Sequence, residues 1–238
     1  MKKILSSVIA SLMLMSFVLS SCSQISDDEA KTDSSSSANF GKYSEFGASV
    51  KSGFEEKFGD AETARSALLS ETSVKESDET DENVEYLDED ASGAEYLLEN
   101  NYISETAAAY IKRVESAIDN AASKAGFNKE VSAIETEAMK NLSDSDLDSV
   151  MYYAEAAKAS ADYWAEDDGE ARFSFRKFRK RIKKIMISSS LGTLAGGLVG
   201  GAASGGSPIG IAAGAVKSCL ASAKEAYDTG KISVVVKI

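Results

Sequence analysis

Asp144, Asp146, Asp148 and Glu155 stand at the first, third, fifth and twelfth positions of a twelve-residue run. That is the spacing by which carboxylates surround a calcium ion. The sixth position, where the sharp turn needs glycine, is Ser149. Leu147, Val150, Met151 and Ala154 also run through the stretch at helical spacing, which a calcium loop cannot accommodate. The acidic residues are therefore read as a helix N-terminus, where negative charge complements the dipole. Little else in the chain offers chemistry. Its 238 residues include no histidine, the commonest general base and a common metal ligand. Cys219 stands alone in an apolar stretch, which argues against disulfide frameworks and thiolate metal sites. The glycines between 192 and 214 lack the lysine and polar surroundings of a phosphate loop. Acidic residues abound, but without a convergent pocket they form a solvated face. The expectation is a protein that is not an enzyme and uses no metal and no cofactor.

Cys22 carries a different chemistry. Lys2 and Lys3 precede a mostly apolar stretch, Ile4 to Leu19, which is too short for a membrane span and is flanked like a secretory signal. It closes on Leu19-Ser20-Ser21-Cys22, which resembles the lipobox of bacterial lipoproteins. The resemblance implies that residues 1–21 are a signal peptide and that Cys22 receives a diacylglycerol thioether, cleavage before it making it the acylated N-terminus. Two or three acyl chains give stable anchoring. Residues 22–39 are polar and serine-rich, and are expected to form a disordered tether. Within them Ser26-Asp27-Asp28-Glu29 resembles the acidic surface-export signal of Bacteroidetes lipoproteins, set a few residues further from the cysteine. The implied location is the bacterial cell envelope, extracytoplasmic, at the outer membrane or cell surface rather than the inner membrane.

Charge divides the chain. Cys22 to Glu170 holds 36 acidic and 12 basic residues, whereas Ala171 to Ile238 holds 2 acidic and 12 basic. Such asymmetry suggests a tail facing a membrane or polyanion, or two parts that neutralise each other. In residues 170–187 the cations are Arg172, Arg176, Lys177, Arg179, Lys180, Arg181, Lys183 and Lys184, with Phe175, Phe178 and Ile182 interleaved at helical spacing. This is the pattern of an interfacial amphipathic helix lying among anionic head groups. Docking on the acidic half is the rival. An exported lipoprotein seldom meets nucleic acid, so none is expected as a partner.

Residues 188–227 come next in the chain as a glycine-rich hairpin. From Ile185 to Val216 there are 32 residues without a charge, more than the roughly 20 needed to span a bilayer. Gly205, Gly206 and Pro208 break the run in the middle. Gly192, Gly196 and Gly200 form one ridge at four-residue spacing, Gly197, Gly201 and Gly205 a second, and Gly206, Gly210 and Gly214 a third. Small residues at this interval let helix backbones touch, as in lipid-embedded interfaces. The segment resembles the glycine zipper of bacterial envelope proteins and of small membrane-active peptides of the bacteriocin kind. A tightly packed soluble hairpin is its rival. A plain inner-membrane span conflicts with the cations outside the cytoplasm.

The elements that must position these segments are mainly helical. Residues 40–168 read as an acidic helical bundle. Phe46, Val50, Phe54 and Phe58 recur by four up to Gly59, and a short helix spans Asp60 to Leu69. Residues 70–93 are too acidic to bury and are read as a mobile loop. Ser104 caps a helix along Ile111, Val114 and Ile118 that stops at Gly126. Asn128 caps the next, along Val131, Ile134, Ala138, Met139 and Leu142. Ser143 and Asp146 form a capping box for a third, along Leu147, Val150, Met151, Ala157 and Trp164. Residues 230–238 end the chain with alternating Ile232, Val234, Val236 and Ile238, a strand that needs a partner. The fold class is mainly α: an acidic helical bundle, a basic amphipathic helix, a glycine-rich hairpin and a short C-terminal strand. The expected function is membrane association and self-association through the basic helix and zipper. The alternative is a membrane-active, bacteriocin-like effector masked by the acidic domain. Expected partners are membrane lipid and a second copy or an envelope protein, and no small-molecule substrate is evident.

Overall fold

The structure, a computed structural model, describes residues 34–70, 84–88, 91–121, 123–165, 175–203 and 208–237. The side chains of 34–40, Leu69, 175–179 and 208–209 are outside that description. Two compact units divide the chain, Met1–Ser36 and Ser37–Ile238. Of the first, only the start of a helix is described; the second holds every other described element. The signal peptide, Cys22 and most of the expected tether lie outside the described residues.

Eight helices and two strands occur among the described residues: α1 (Ser34–Phe58), α2 (Ala61–Ser70), β1 (Val84–Leu87), α3 (Gly93–Glu99), α4 (Glu105–Asn120), α5 (Lys124–Asn141), α6 (Asp144–Trp164), α7 (Phe175–Ala203), α8 (Pro208–Thr229) and β2 (Ile232–Val235). The protein is mainly helical with a two-stranded antiparallel sheet. The four-residue stripe of α1 is buried at Phe46, Val50 and Phe54. Gly59 ends that helix with φ +83°, the left-handed conformation that favours glycine. Asp60 then caps α2 by accepting from the Thr63 amide at 2.9 Å. Because α1 begins at Ser34, the last residues of the segment read as tether are helical.

Two helix boundaries and one cap differ from expectation. α4 is capped by Ser104, whose Oγ accepts from the Ala107 amide at 3.1 Å, but it stops at Asn120. Ser123 caps α5 by accepting from the Gly126 amide at 3.0 Å, so Gly126 and Asn128 lie inside that helix. The earlier start adds Phe127 to the buried stripe of Val131, Ile134 and Ala138. Apolar burial thus outweighs the stop signal of one glycine. At α6 the capping box is not formed, since Ser143 makes no side-chain cap bond. Asp146 accepts from the Ser104 hydroxyl at 2.7 Å instead, joining the N-termini of α4 and α6.

The acidic stretch read as loop contains β1, the partner that the C-terminal strand required. Val84 pairs with Val235 and Leu87 with Ile232. Ser92 and Gly93 open α3, a helix too short to announce itself by periodicity. The expected alternation of β2 is also corrected: Ile232, Ser233, Val234 and Val235 are all buried, because the strand lies between β1 and the hairpin. The basic stretch and first glycine arm, read as two elements, are one helix, α7. That helix packs on α3, α4, α6, α8 and β2, and the first part of the charge-free segment, residues 185–197, is buried in the domain.

Candidate functional site

α7 and α8 run antiparallel, and their glycines meet serines and one another. A Cβ on Gly192 would lie 2.3 Å from Ser222 Oγ, and one on Gly196 would lie 2.2 Å from Ser218 Oγ and 2.5 Å from Gly214 O. One on Gly200 would lie 2.6 Å from Gly210 O. The ridge of Gly192, Gly196 and Gly200 therefore faces Ser222, Ser218, Gly214 and Gly210 of the same chain, a close backbone approach that a methyl group would prevent. Gly205 and Gly206 are outside the described residues.

The approach has a second consequence, at the strand. Ser222 Oγ accepts from the Val235 amide at 2.8 Å and donates to its carbonyl at 3.3 Å. Ser218 Oγ does the same for Lys237, at 2.8 and 3.2 Å. Ser188 Oγ of α7 accepts from the Ser233 amide at 2.9 Å. Two strand residues advance about 6.6 Å and four helix residues about 6 Å, so serines one helical turn apart match alternate strand residues. Hydroxyls thus take the place of a neighbouring strand and satisfy the edge of β2 away from β1. The sequence signal was present, two serines four apart beside an alternating strand, but it names no partner by itself.

The basic stretch divides along α7. Arg181 donates to the Leu68 carbonyl at 3.2 Å and the Tyr227 carbonyl at 3.5 Å, and Lys184 to the Gly230 carbonyl at 3.0 Å. These carbonyls lie at the C-terminal ends of α2 and α8, where cations complement the dipole. Lys183 pairs with Asp119 at 2.5 Å, and Ile182 is buried in the core. Of the residues read as lipid contacts, Ile182 is thus corrected to a core residue, while Arg181, Lys183 and Lys184, each partly exposed, also bond to the protein itself. Lys180 is exposed. Phe175, Arg176, Lys177, Phe178 and Arg179 belong to the same helix, with side chains outside the description, and Arg172 lies outside the described residues.

The carboxylates of the supposed calcium loop are spread along α6. Asp148 accepts from Lys42 at 2.8 Å and from the Tyr43 hydroxyl. Glu155 and the buried Glu135 share Lys158, at 2.7 and 2.8 Å. Among the described residues no group of three or more acidic, cysteine or histidine side chains converges as a metal site. Burial pushes the Glu135 carboxyl up, against the pull of Lys158. Burial also raises Glu115, despite hydrogen bonds from Ser92, the Ala94 amide and Tyr153, each at 2.9 Å. Cys219 is fully buried, and burial pushes its thiol up to about 12, which leaves it inert as a nucleophile.

Open space remains on the other side of the hairpin. A cavity of about 460 Å³ lies between Leu194, Leu198 and Ile211 of the hairpin and Tyr102, Asp148 and Tyr152 opposite. No protein-family model matches the chain, and neither a curated protein nor a solved structure matches it.

Proposed function

We propose that this chain is a lipid-anchored protein of the bacterial envelope, held at Cys22 and applied to an anionic membrane surface by the basic start of α7. Its role is binding or structural, not catalytic. The observation that carries the reading is the division of α7: Arg181, Lys183 and Lys184 are committed to the domain, while Lys180 is exposed and further cations precede it in the same helix. Each lysine or arginine near an anionic surface contributes about 1 kcal/mol. Exchanging Arg176, Lys177, Arg179 and Lys180 for glutamine should lower salt-sensitive flotation with anionic vesicles and leave the melting point unchanged. Unaltered flotation would remove this reading. Cys22→Ala should abolish acyl labelling, and a variant still acylated would refute the anchor. Self-association belongs to the same proposal, through a hairpin face other than the Gly192 ridge, and cross-linking at the membrane tests it.

The masked effector is favoured by one observation of its own. Lys180–Ala203 is a 24-residue helix long and apolar enough to cross a membrane, and it is mostly buried inside the protein. Lys183 is held there by Asp119 of the acidic half. On that reading Asp119→Lys should make the full chain leak dye from anionic vesicles. Intact vesicles at protein levels that saturate binding would exclude it.

A further inference from the structure

The cavity beside the hairpin has the volume of a small-molecule site. Gly197 shows that its emptiness is not a by-product of helix packing. Unlike Gly192, Gly196 and Gly200, a Cβ on Gly197 would find only ordinary contacts, 3.6 Å from Ala215 Cβ and 3.8 Å from Ile211 Cγ2. Glycine weakens a helix relative to alanine, and nothing in the α7–α8 interface requires it at this position. What its missing side chain leaves open is the cavity. Beside it Leu198 is 49% exposed, the one exposed large hydrophobic residue among those described. Filling the cavity would cover it.

The opposite wall is polar. The hydroxyls of Tyr102 and Tyr152 have no hydrogen-bond partner among the described residues. Asp148 is paired with Lys42 and accepts from Tyr43, so the charge of Lys42 on this wall is already matched and, among the described residues, no free cation is left there to receive an anionic head group. An apolar wall facing unpartnered hydroxyls and a carboxylate fits an amphiphile with an uncharged, hydrogen-bonding head. We propose that this cavity binds a single-chain lipid with a neutral head, a monoacylglycerol or fatty alcohol, its alkyl chain along Leu194, Leu198 and Ile211 and its head at the tyrosines. The proposal rests on neither the Cys22 anchor nor the basic stretch.

The test photolabels the full chain in phosphatidylcholine vesicles with a diazirine-bearing monoacylglycerol and maps the adducts by mass spectrometry. Adducts should fall in residues 193–201, 211–215 and 145–152, and unlabelled monooleoylglycerol should compete about tenfold better than oleate. Gly197→Leu should abolish these adducts while keeping the wild-type melting point. Tyr152→Phe, which removes a hydroxyl at unchanged volume, should cut the preference over oleate by about three- to tenfold. Adducts that persist in a folded Gly197→Leu chain overturn the proposal, as does equal competition by oleate. Adducts that appear only after Cys22→Ala would mean that the chain's own acyl group fills the cavity, and would also overturn it.

Discussion

Glu115 and Glu135 are carboxylates that burial raises, and this sets the sign of the pH dependence. A carboxyl with a raised folded value binds protons more tightly folded than unfolded. Its contribution to stability is full below the ordinary value of 4.5 and is lost as pH rises through the folded value. Replacing both by glutamine should flatten the decline in stability above pH 4.5, followed by urea midpoints across that range. An unchanged slope would contradict the burial. The exposed Glu137, lowered by its hydrogen bond from Arg113, acts in the opposite sense and only at lower pH. Lys158 is the counter-charge for both Glu135 and Glu155. Lys158→Met leaves two carboxylates with no cation and should cost about 3–5 kcal/mol, measured by denaturant unfolding at neutral pH. Apart from Glu155 and Lys158, three residues apart on one helix, these pairings were not legible in the sequence, because partners such as Glu115 and Tyr153 or Lys42 and Asp148 are brought together by packing across separate helices.

At the scale of elements, the hairpin presents two glycine environments that spacing alone would not distinguish, one closed against backbone and one open. Gly197→Ala should stabilise by about 0.5–1 kcal/mol, because alanine favours the helix and its methyl meets only ordinary contacts. Ser222→Ala should cost about 1–3 kcal/mol, since it leaves the Val235 amide unpaired inside the protein. Thermal melts of the two variants should shift in opposite directions, and shifts of one sign would contradict the serine–strand contact. Periodicity exposed the longer helices of the acidic half, because each has an apolar face of the right repeat, and the glycine spacing exposed the two arms of the hairpin. β1 was hidden in a four-residue run, Val84–Leu87, inside an acidic stretch. The start of α5 was hidden because Ser123 and Asn128 are both competent caps, and only the burial of Phe127 decides between them. Nor does small-residue spacing reveal whether the facing backbone belongs to the same chain.

At the scale of the molecule, the two halves of opposite charge meet through α7, which carries cations at one end and the apolar centre along the rest. Trp164 reports on this union. Its ring is fully buried, 5.0 Å from Phe58 of α1 and 5.5 Å from Tyr227 of α8. Its emission should be blue-shifted in the folded protein and shift to the red in one step on unfolding. Cys219 lies in the same core and should become alkylated only in that transition. The Gly192 ridge closes the hairpin within one chain and so holds the domain together. Urea unfolding of Gly196→Leu, followed by Trp164 emission, tests it most directly. Internal packing predicts a loss at the top of the overpacking range, about 3 kcal/mol, because a side chain there meets Ser218 and the Gly214 carbonyl. A wild-type midpoint with wild-type emission would contradict it and return the ridge to contacts between molecules.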